Sequence, residues 1–349
     1  MPAATRRPGR ALREFELIRD IQRRFGLIGR AVVRGIGDDT AVLRPAKTDD
    51  LLVTTDLLTE GIHFDLATAA IEDVGYKAAV ANLSDIAAMG GTPTYLLVAL
   101  AIPRSLSSTA ITNLYTGLMK ACRVHGVQLV GGDTSASRTG LFLSLTLLGY
   151  ARKGTALTRD GAAVGDDLYV TGSLGDARAG LEILSGRRRG RGTGQANGYP
   201  ARDAKYLIAR HLRPTPRIEE GRRLAAGGLA SAAIDLSDGL AGDVAHVCEQ
   251  SRVGVEVNPV ALPVSPACRA YANASGQDPV ALALAGGQDY ELLFTAPARA
   301  RARLARLADR HGFHFTRIGV IRPRAFGRRL RTSDGLRPMP AASYEHFRS

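Results

Sequence analysis

The stretch Val80–Gly91, VANLSDIAAMGG, constrains this chain more than any other. It falls in a helical pattern that starts near Ile71, with Val74, Ala78, Ala81, Asp85 and Ala88 recurring at helical spacing. Asn82 and Asp85 therefore share one face of that helix, among small residues. A carboxylate set against Ala and Val is costly unless it is paired or holds a metal. The plain alternative is an N-cap, Ser84 and Asp85 marking where one helix ends and another begins. The pattern is not isolated, however. Short acidic clusters return at Gly37–Asp39 (GDD), Thr54–Asp56 (TTD), Gly131–Asp133 (GGD) and Asp235–Asp238 (DLSD), nearly all directly after apolar β-like runs. A local Asx turn explains any single one of these well, but the whole set poorly.

Around these clusters the chain reads as alternating strands and helices. An amphipathic helix is predicted over Arg13–Phe25, a short strand over Thr40–Arg44 and a strand over Leu51–Thr55 that ends in Asp56. The Asp85 helix stops at Gly90-Gly91 with Pro93 behind it. Strands follow over Tyr95–Ile102, over Val127–Val130 running into Gly131-Gly132-Asp133, and over Leu141–Tyr150, with a helix over Ser107–His125. The second half repeats the grammar: strands over Asp167–Thr171, Ser231–Leu236, Val253–Val257, Tyr290–Thr295 and Phe313–Val320, and helices from Gly175, Ala201, Ile218, Leu240 and Pro297. This is an α/β (α+β) chain of two domains, 13–151 and 152–349, behind a disordered N-terminus at 1–12. A polar, Arg/Gly-rich insertion interrupts the second domain at about 186–200.

Charge and composition exclude several classes. The formal charge is +13, from 46 basic and 33 acidic residues, but only five of the 46 are Lys and the Arg are spread along the chain. The densest run, GRRRGRG at Gly186–Gly192, has no interleaved aromatics, and no zinc-finger or RNP spacing occurs, so no nucleic-acid partner is expected. An anionic small substrate accounts for the charge equally well. No run has the length of a membrane span, and the first ten residues lack an apolar signal core. Cys122, Cys248 and Cys268 are far apart and read as core residues of a reduced, cytoplasmic protein.

The chemistry rests on carboxylates and hydroxyls. Thr54, Thr55, Asp56 and Asp133 are expected at strand ends, which aim side chains at one edge of a sheet. Gly131 and Gly132, lacking Cβ, allow a close backbone approach to phosphate. Oxygen donors without His or Cys suit Mg²⁺ and not zinc. The common nucleotide signatures are missing: no GxxxxGK[ST], no kinase glycine loop with an HRD motif, no GxGxxG.

At this point the residues carry a resemblance. GIGDDTAVL (Gly35–Leu43), TTDLLTEGIHF (Thr54–Phe64), NLSDIAAMGG (Asn82–Gly91), VGGDTS (Val130–Ser135), LTRDGA (Leu157–Ala162), HLRPTPRI (His211–Ile218), IDLSDGL (Ile234–Leu240) and GGQDYELLF (Gly286–Phe294) together resemble the thiamine-monophosphate kinase family, within the ATP-binding superfamily of aminoimidazole ribonucleotide synthetase. The match runs from about Glu14 to SYEHF (Ser343–Phe347). It implies a two-domain fold of that superfamily, with N-terminal sheet domains pairing in a homodimer and a C-terminal α/β domain. It also implies ATP-dependent phosphorylation of thiamine monophosphate to thiamine diphosphate with several Mg²⁺ ions. Residue by residue, it assigns Asp39, Thr54, Thr55, Asp56, Asp85, Asp133, Asp235 and Asp238 to metal, and Tyr115, Gly132, Asp133, Arg159 and Ser237 to ATP. His63, Gln288 and Tyr344 fall at the positions that touch the thiamine phosphate. Gln288 stands where the family generally has Glu, which removes a charge from that contact. Relatives that work through a reactive cysteine near the N-terminus or at the C-terminus fit poorly, because the chain has no Cys before Cys122 and ends His346-Phe347-Arg348-Ser349.

Overall fold

The computed structural model describes residues 14–26, 32–34, 42–43, 48–188 and 198–340. Asp39, Tyr344, residues 1–12 and the middle of the Arg/Gly-rich insertion lie outside them. In chain order the elements are α1 (Glu14–Phe25), β1 (Val32–Arg34), β2 (Val42–Leu43), β3 (Asp49–Thr59), α2 (Ile71–Ala88), β4 (Thr92–Pro103), α3 (Ser108–Arg123), β5 (Gln128–Ser137) and β6 (Phe142–Arg152). They continue as β7 (Asp167–Thr171), α4 (Asp176–Arg188), α5 (Ala201–Leu212), α6 (Ile218–Ala226), β8 (Ala232–Asp235), α7 (Leu240–Gln250), β9 (Val253–Val257), α8 (Pro266–Ser275), α9 (Pro279–Ala285), β10 (Leu292–Ala296), α10 (Arg301–His311), β11 (Phe315–Pro323), β12 (Arg328–Thr332) and β13 (Gly335–Pro338). The chain forms two compact units: the described residues up to Lys47 with Val53–Asn82 and Pro93–Leu148, and Thr48–Leu52, Leu83–Thr92 and the described residues from Gly149 onward.

A four-stranded sheet in the order β3-β6-β4-β5 organises the N-terminal half, with β4 and β5 parallel from Tyr95–Gln128 to Pro103–Ser137. Strand β6 alternates strictly: Leu143, Leu145 and Leu147 are buried, while Phe142, Ser144, Thr146 and Leu148 keep solvent access. That is the period-two signature of a sheet covered on one face. Helices α2 and α3 supply apolar stripes, Val74 and Ala78 on one and Ile111, Leu114 and Leu118 on the other. The two helices touch backbone to backbone. A Cβ on Gly117 would stand 1.8 Å from the Glu72 carbonyl oxygen and one on Gly75 2.0 Å from that of Leu114, so glycine is required at both crossings. α1 closes onto α3 by stacking Phe25 on Tyr115, ring centroids 5.8 Å apart.

The second sheet has seven strands in the order β13-β12-β9-β11-β7-β10-β8, all antiparallel except β9–β12. Strands β7, β8, β9 and β10 are buried along their whole length because both faces are covered. Leu168, Val170, Ile234 and Leu293 join residues of α4, α5, α7, α8 and α9 in one core. Tyr169, Ala233 and Phe294 face the other way, onto Leu224 of α6 and Leu304 of α10. Burying one such side chain is worth about 2–3 kcal/mol, so the two cores fix the sheet firmly.

Most predicted elements recur within a few residues, but two turns do not. β3 runs on to Thr59 and β5 to Ser137, so Thr54-Thr55-Asp56 and Gly132-Asp133 lie within strands and not at their ends. Cross-strand hydrogen bonding, invisible in a single strand's pattern, carries both past their polar residues. Helix α2 is continuous through Asp85, which removes the N-cap alternative. The structure adds β1, α8, α9 and the β12–β13 hairpin to the elements the sequence predicts.

Candidate active site

Two loops of the second unit are knitted together by backbone hydrogen bonds. After β8, the Leu236 N–H donates to the Glu291 carbonyl at 2.8 Å; in return, the Gln288 and Tyr290 N–H groups donate to the carbonyls of Ser237, at 2.8 Å, and Leu236, at 3.0 Å. This brings Asp235, Ser237 and Asp238 of the IDLSDGL motif beside Gln288 of GGQDYEL. Gln288 and Tyr290 both adopt left-handed backbone conformations, φ 68° and 52°. Such conformations are costly for residues with a Cβ and persist only where the surroundings enforce them.

Sequence reasoning missed Asp243, which belongs to this cluster. It sits in the first turn of α7, only 2% exposed, and its Oδ2 accepts the Asp238 N–H at 3.3 Å. Burial, and then the charges of Asp235 and Asp238, push its carboxyl up to about 8, against the opposing pull of Arg159. The available signal was an acidic residue one turn inside a helix that follows an acidic loop. Arg159 itself is exposed; its neighbour Asp160 is occupied with the Thr158 hydroxyl at 2.5 Å. Arg159 is thus electrostatically part of the carboxylate cluster.

Around Gln288 the motif is structural. Asp289 accepts the Gly175 N–H at 2.7 Å and the Ala177 N–H at 3.0 Å, satisfying donors at the start of α4. Glu291 is wholly buried and receives Arg217, Arg210 through Nη2 at 2.7 Å and the Thr171 hydroxyl at 2.6 Å. Burial works against that carboxylate, but the two guanidinium groups outweigh it and hold Glu291 below the usual carboxylate range. Asp176, also buried, collects the hydroxyls of Ser173, Tyr206 and Ser265. The end of the Asp85 helix, from Leu83, belongs to the same unit. Gly221 of α6 leaves room for the Ala87 carbonyl, which would stand 2.0 Å from a Cβ there.

The remaining expected residues are distributed as follows. Thr54 and Asp56 lie on β3, half-buried. The Thr55 hydroxyl donates to the Leu145 carbonyl at 3.0 Å and accepts from Thr146, so it is already engaged in the sheet. Asp133 is exposed on β5, and its Oδ1 accepts the Thr134 N–H at 2.8 Å. A Cβ on Gly132 would meet the Val98 carbonyl oxygen at 2.0 Å, so the strand pairing itself demands this glycine. Tyr115 is buried against Phe25, a packing position, with its hydroxyl pushed to higher pKa by burial. Nδ1 of His63 accepts the Thr59 N–H at 3.0 Å, which leaves the ring proton on Nε2. Cys122, Cys248 and Cys268 are free and buried, and burial pushes their thiols up to about 12, 11 and 12.

The donor set fits a hard cation. Asp235, Asp238 and Asp243 offer carboxylate oxygens whose mutual repulsion a divalent ion would relieve, and no sulfur is among them. Among the described residues no three His, Cys, Asp or Glu side chains gather into a cage for a metal ion. Mg²⁺ does not need one: it is commonly held by one or two carboxylates, with substrate phosphates and water completing the octahedron.

The model for AIR synthase related protein, N-terminal domain, matches residues 37–151, and that for the C-terminal domain matches residues 163–329. Fold and site thus define a two-domain protein of the AIR synthase related type. The thiamine-monophosphate kinase of Escherichia coli (strain K12) is 40% identical over 308 residues, 88% of this chain and 90% of that protein. That of Haemophilus influenzae is 36% identical over 343 residues, 97% of this chain and 99% of that one. Among solved structures, the thiamine-monophosphate kinase from Stenotrophomonas maltophilia K279a superposes with a TM-score of 0.77 at 38% identity, covering 91% of this chain and 96% of that one. AaThiL complexed with AMPPCP and TMP superposes with a TM-score of 0.75 at 34% identity, covering 99% and 100%. The chain belongs to the thiamine-monophosphate kinase family.

Proposed function

We propose that this chain transfers the γ-phosphoryl group of ATP to the phosphate of thiamine monophosphate, giving thiamine diphosphate. The observation that carries the reading is the knitted loop pair, which puts the acidic IDLSDGL motif and the GGQDYEL motif within backbone hydrogen-bonding distance. The relative solved as a complex with AMPPCP and TMP supports both substrates.

The acceptor is already an anionic phosphate, so the reaction needs no general base. Its physical problem is to bring two polyanions together and stabilise a loose transition state, which is done by positioning and positive charge. Bound Mg²⁺ would supply that positive charge. Asp235 and Asp238, with Asp85, Thr54, Thr55, Asp56, Asp133 and Asp39, are the proposed holders of metal. Ser237, Gly132 and Arg159 are proposed on the nucleotide side, Arg159 as an exposed cation for phosphate oxygens. Tyr115 joins that proposal by its family position alone, since its ring is committed to packing. Gln288, His63 through its Nε2–H, and Tyr344 are proposed for the thiamine phosphate.

A homodimer is what the family resemblance implies, and β3, an edge strand of the N-terminal sheet, leaves Val53 and Leu57 exposed by 61% and 59%, an apolar pair available to such an association. No helix among the described residues is long and apolar enough to cross a membrane, and we take the cytoplasm, where ATP is made available, as the working compartment.

Purified protein given thiamine monophosphate, ATP and Mg²⁺ is expected to make thiamine diphosphate and ADP, with free thiamine inert as acceptor. Turnover of free thiamine in preference to its monophosphate would overturn the assignment.

A further inference from the structure

The GGQDYEL loop contains a mechanical arrangement that none of the assigned contacts uses. From Gln288 to Glu291 the side chains divide: Asp289, Tyr290 and Glu291 are buried, and Gln288 alone keeps solvent access. Gln288 and Tyr290 are both left-handed, which free chains with side chains avoid at roughly 1 kcal/mol or more per residue. Something must hold them there. On one side the Asp289 carboxylate spans two backbone N–H groups, Gly175 and Ala177, at the start of α4. On the other, Glu291 is gripped by the Arg217 fork and by Arg210. The anchors sit either side of Tyr290, and both carboxylates are buried.

We propose that Asp289 and Arg217 are positioning residues for the phosphoryl-transfer site. By tying down the chain on the C-terminal side of Gln288, they enforce the left-handed backbone that presents Gln288 to the thiamine phosphate and keeps Ser237 and Asp238 in register with it. Neither touches substrate. The inference rests on the reading of Gln288 as a substrate contact, and its test separates the two.

The test is a double-mutant cycle on the full chain, reading the Kd for thiamine monophosphate in the presence of Mg²⁺ and AMPPCP, with thermal unfolding alongside. Asp289→Asn loses one of the two side-chain oxygens that accept the backbone N–H groups while keeping its shape; it is expected to weaken binding on the order of tenfold. Gln288→Ala is expected to weaken binding as well. The losses should not add: in the Gln288→Ala background, Asp289→Asn should cost little more, because the residue it positions is gone. Arg217→Lys, which keeps the charge on Glu291 but loses the fork, gives the same pattern and carries the test should Asp289→Asn fail to fold. A purely structural role would lower the unfolding temperature and leave the losses additive, or leave Kd unchanged; either result overturns the proposal. If Gln288→Ala alone leaves Kd unchanged, it is the substrate contact that fails, and the positioning of it falls with it.

Discussion

Arg217 closes a two-pronged ion pair on Glu291, Nε to Oε2 at 2.5 Å and Nη2 to Oε1 at 2.6 Å. It joins the HLRPTPRI segment to the GGQDYEL strand at the threshold of α6, whose Gly221 seats the end of the Asp85 helix. One short helix is therefore fixed to two of the acidic motifs at once.

Breaking this pair from the arginine side should be expensive. Arg217→Met would leave a fully buried carboxylate with Arg210 as its remaining ionic partner, and uncompensated buried charge typically costs about 3–5 kcal/mol. With Arg210 still present, we expect about 3 kcal/mol in urea unfolding. The double variant Arg217→Met/Glu291→Gln should recover part of that loss. A change under about 1 kcal/mol in the single variant would mean that the pair contributes no more than a surface one.

Asp85→Asn should remove nearly all turnover while leaving the fold intact. The residue is half-buried in the last turn of a continuous helix, so the isosteric amide is tolerated structurally but offers a metal no charge. We expect a fall of roughly 10²-fold or more in kcat. Near-normal turnover at limiting Mg²⁺ would sink the metal assignment of Asp85.

Gln288→Glu introduces the charge that the family resemblance implies at this position. A neutral-to-charged hydrogen bond is worth about 1 kcal/mol, so KM for thiamine monophosphate should drop roughly fivefold with kcat little changed. Steady-state kinetics on that single variant decide it; an unchanged KM would leave Gln288 a loop-ordering residue only.

Acid should unfold the protein partly through Asp167. Burial alone would raise this carboxyl, but hydrogen bonds from Arg301 and Arg317, each 2.5 Å away, outweigh it and hold its pKa below 3.8. A depressed folded-state pKa means that the unfolded chain binds the proton first as pH falls. The stabilisation is thus complete above about pH 4 and lost below it. The stability gap between wild type and Asp167→Asn, read by urea unfolding, should be present at pH 7 and shrink toward pH 3. A gap that is constant over that range would show that the two arginines do not act through charge.

Local chemistry in the sequence determined a good deal. Helical and strand periods placed α2, α3, α5, α6, α7 and strands β7 to β9 within a few residues, because each carries its own apolar period or an uninterrupted apolar run. Oxygen-only acidic motifs pointed to a hard cation and phosphate, and motif order pointed to the family. Tertiary structure decided what local pattern cannot carry. Strand pairing took β3 and β5 through Asp56 and Asp133, since a polar residue in a strand is tolerated wherever its neighbour completes the ladder. Asp243 became part of the carboxylate cluster only because α7 starts where the Asp238 loop ends. The sequence likewise treats the acids of GGQDYEL alike. Folding sends Asp289 to the start of α4 and Glu291 to Arg217, residues 112 and 74 positions away in the chain, and leaves Gln288 facing outward. Those partners are distant in sequence, and burial gives each carboxylate its role only once the fold has brought them together.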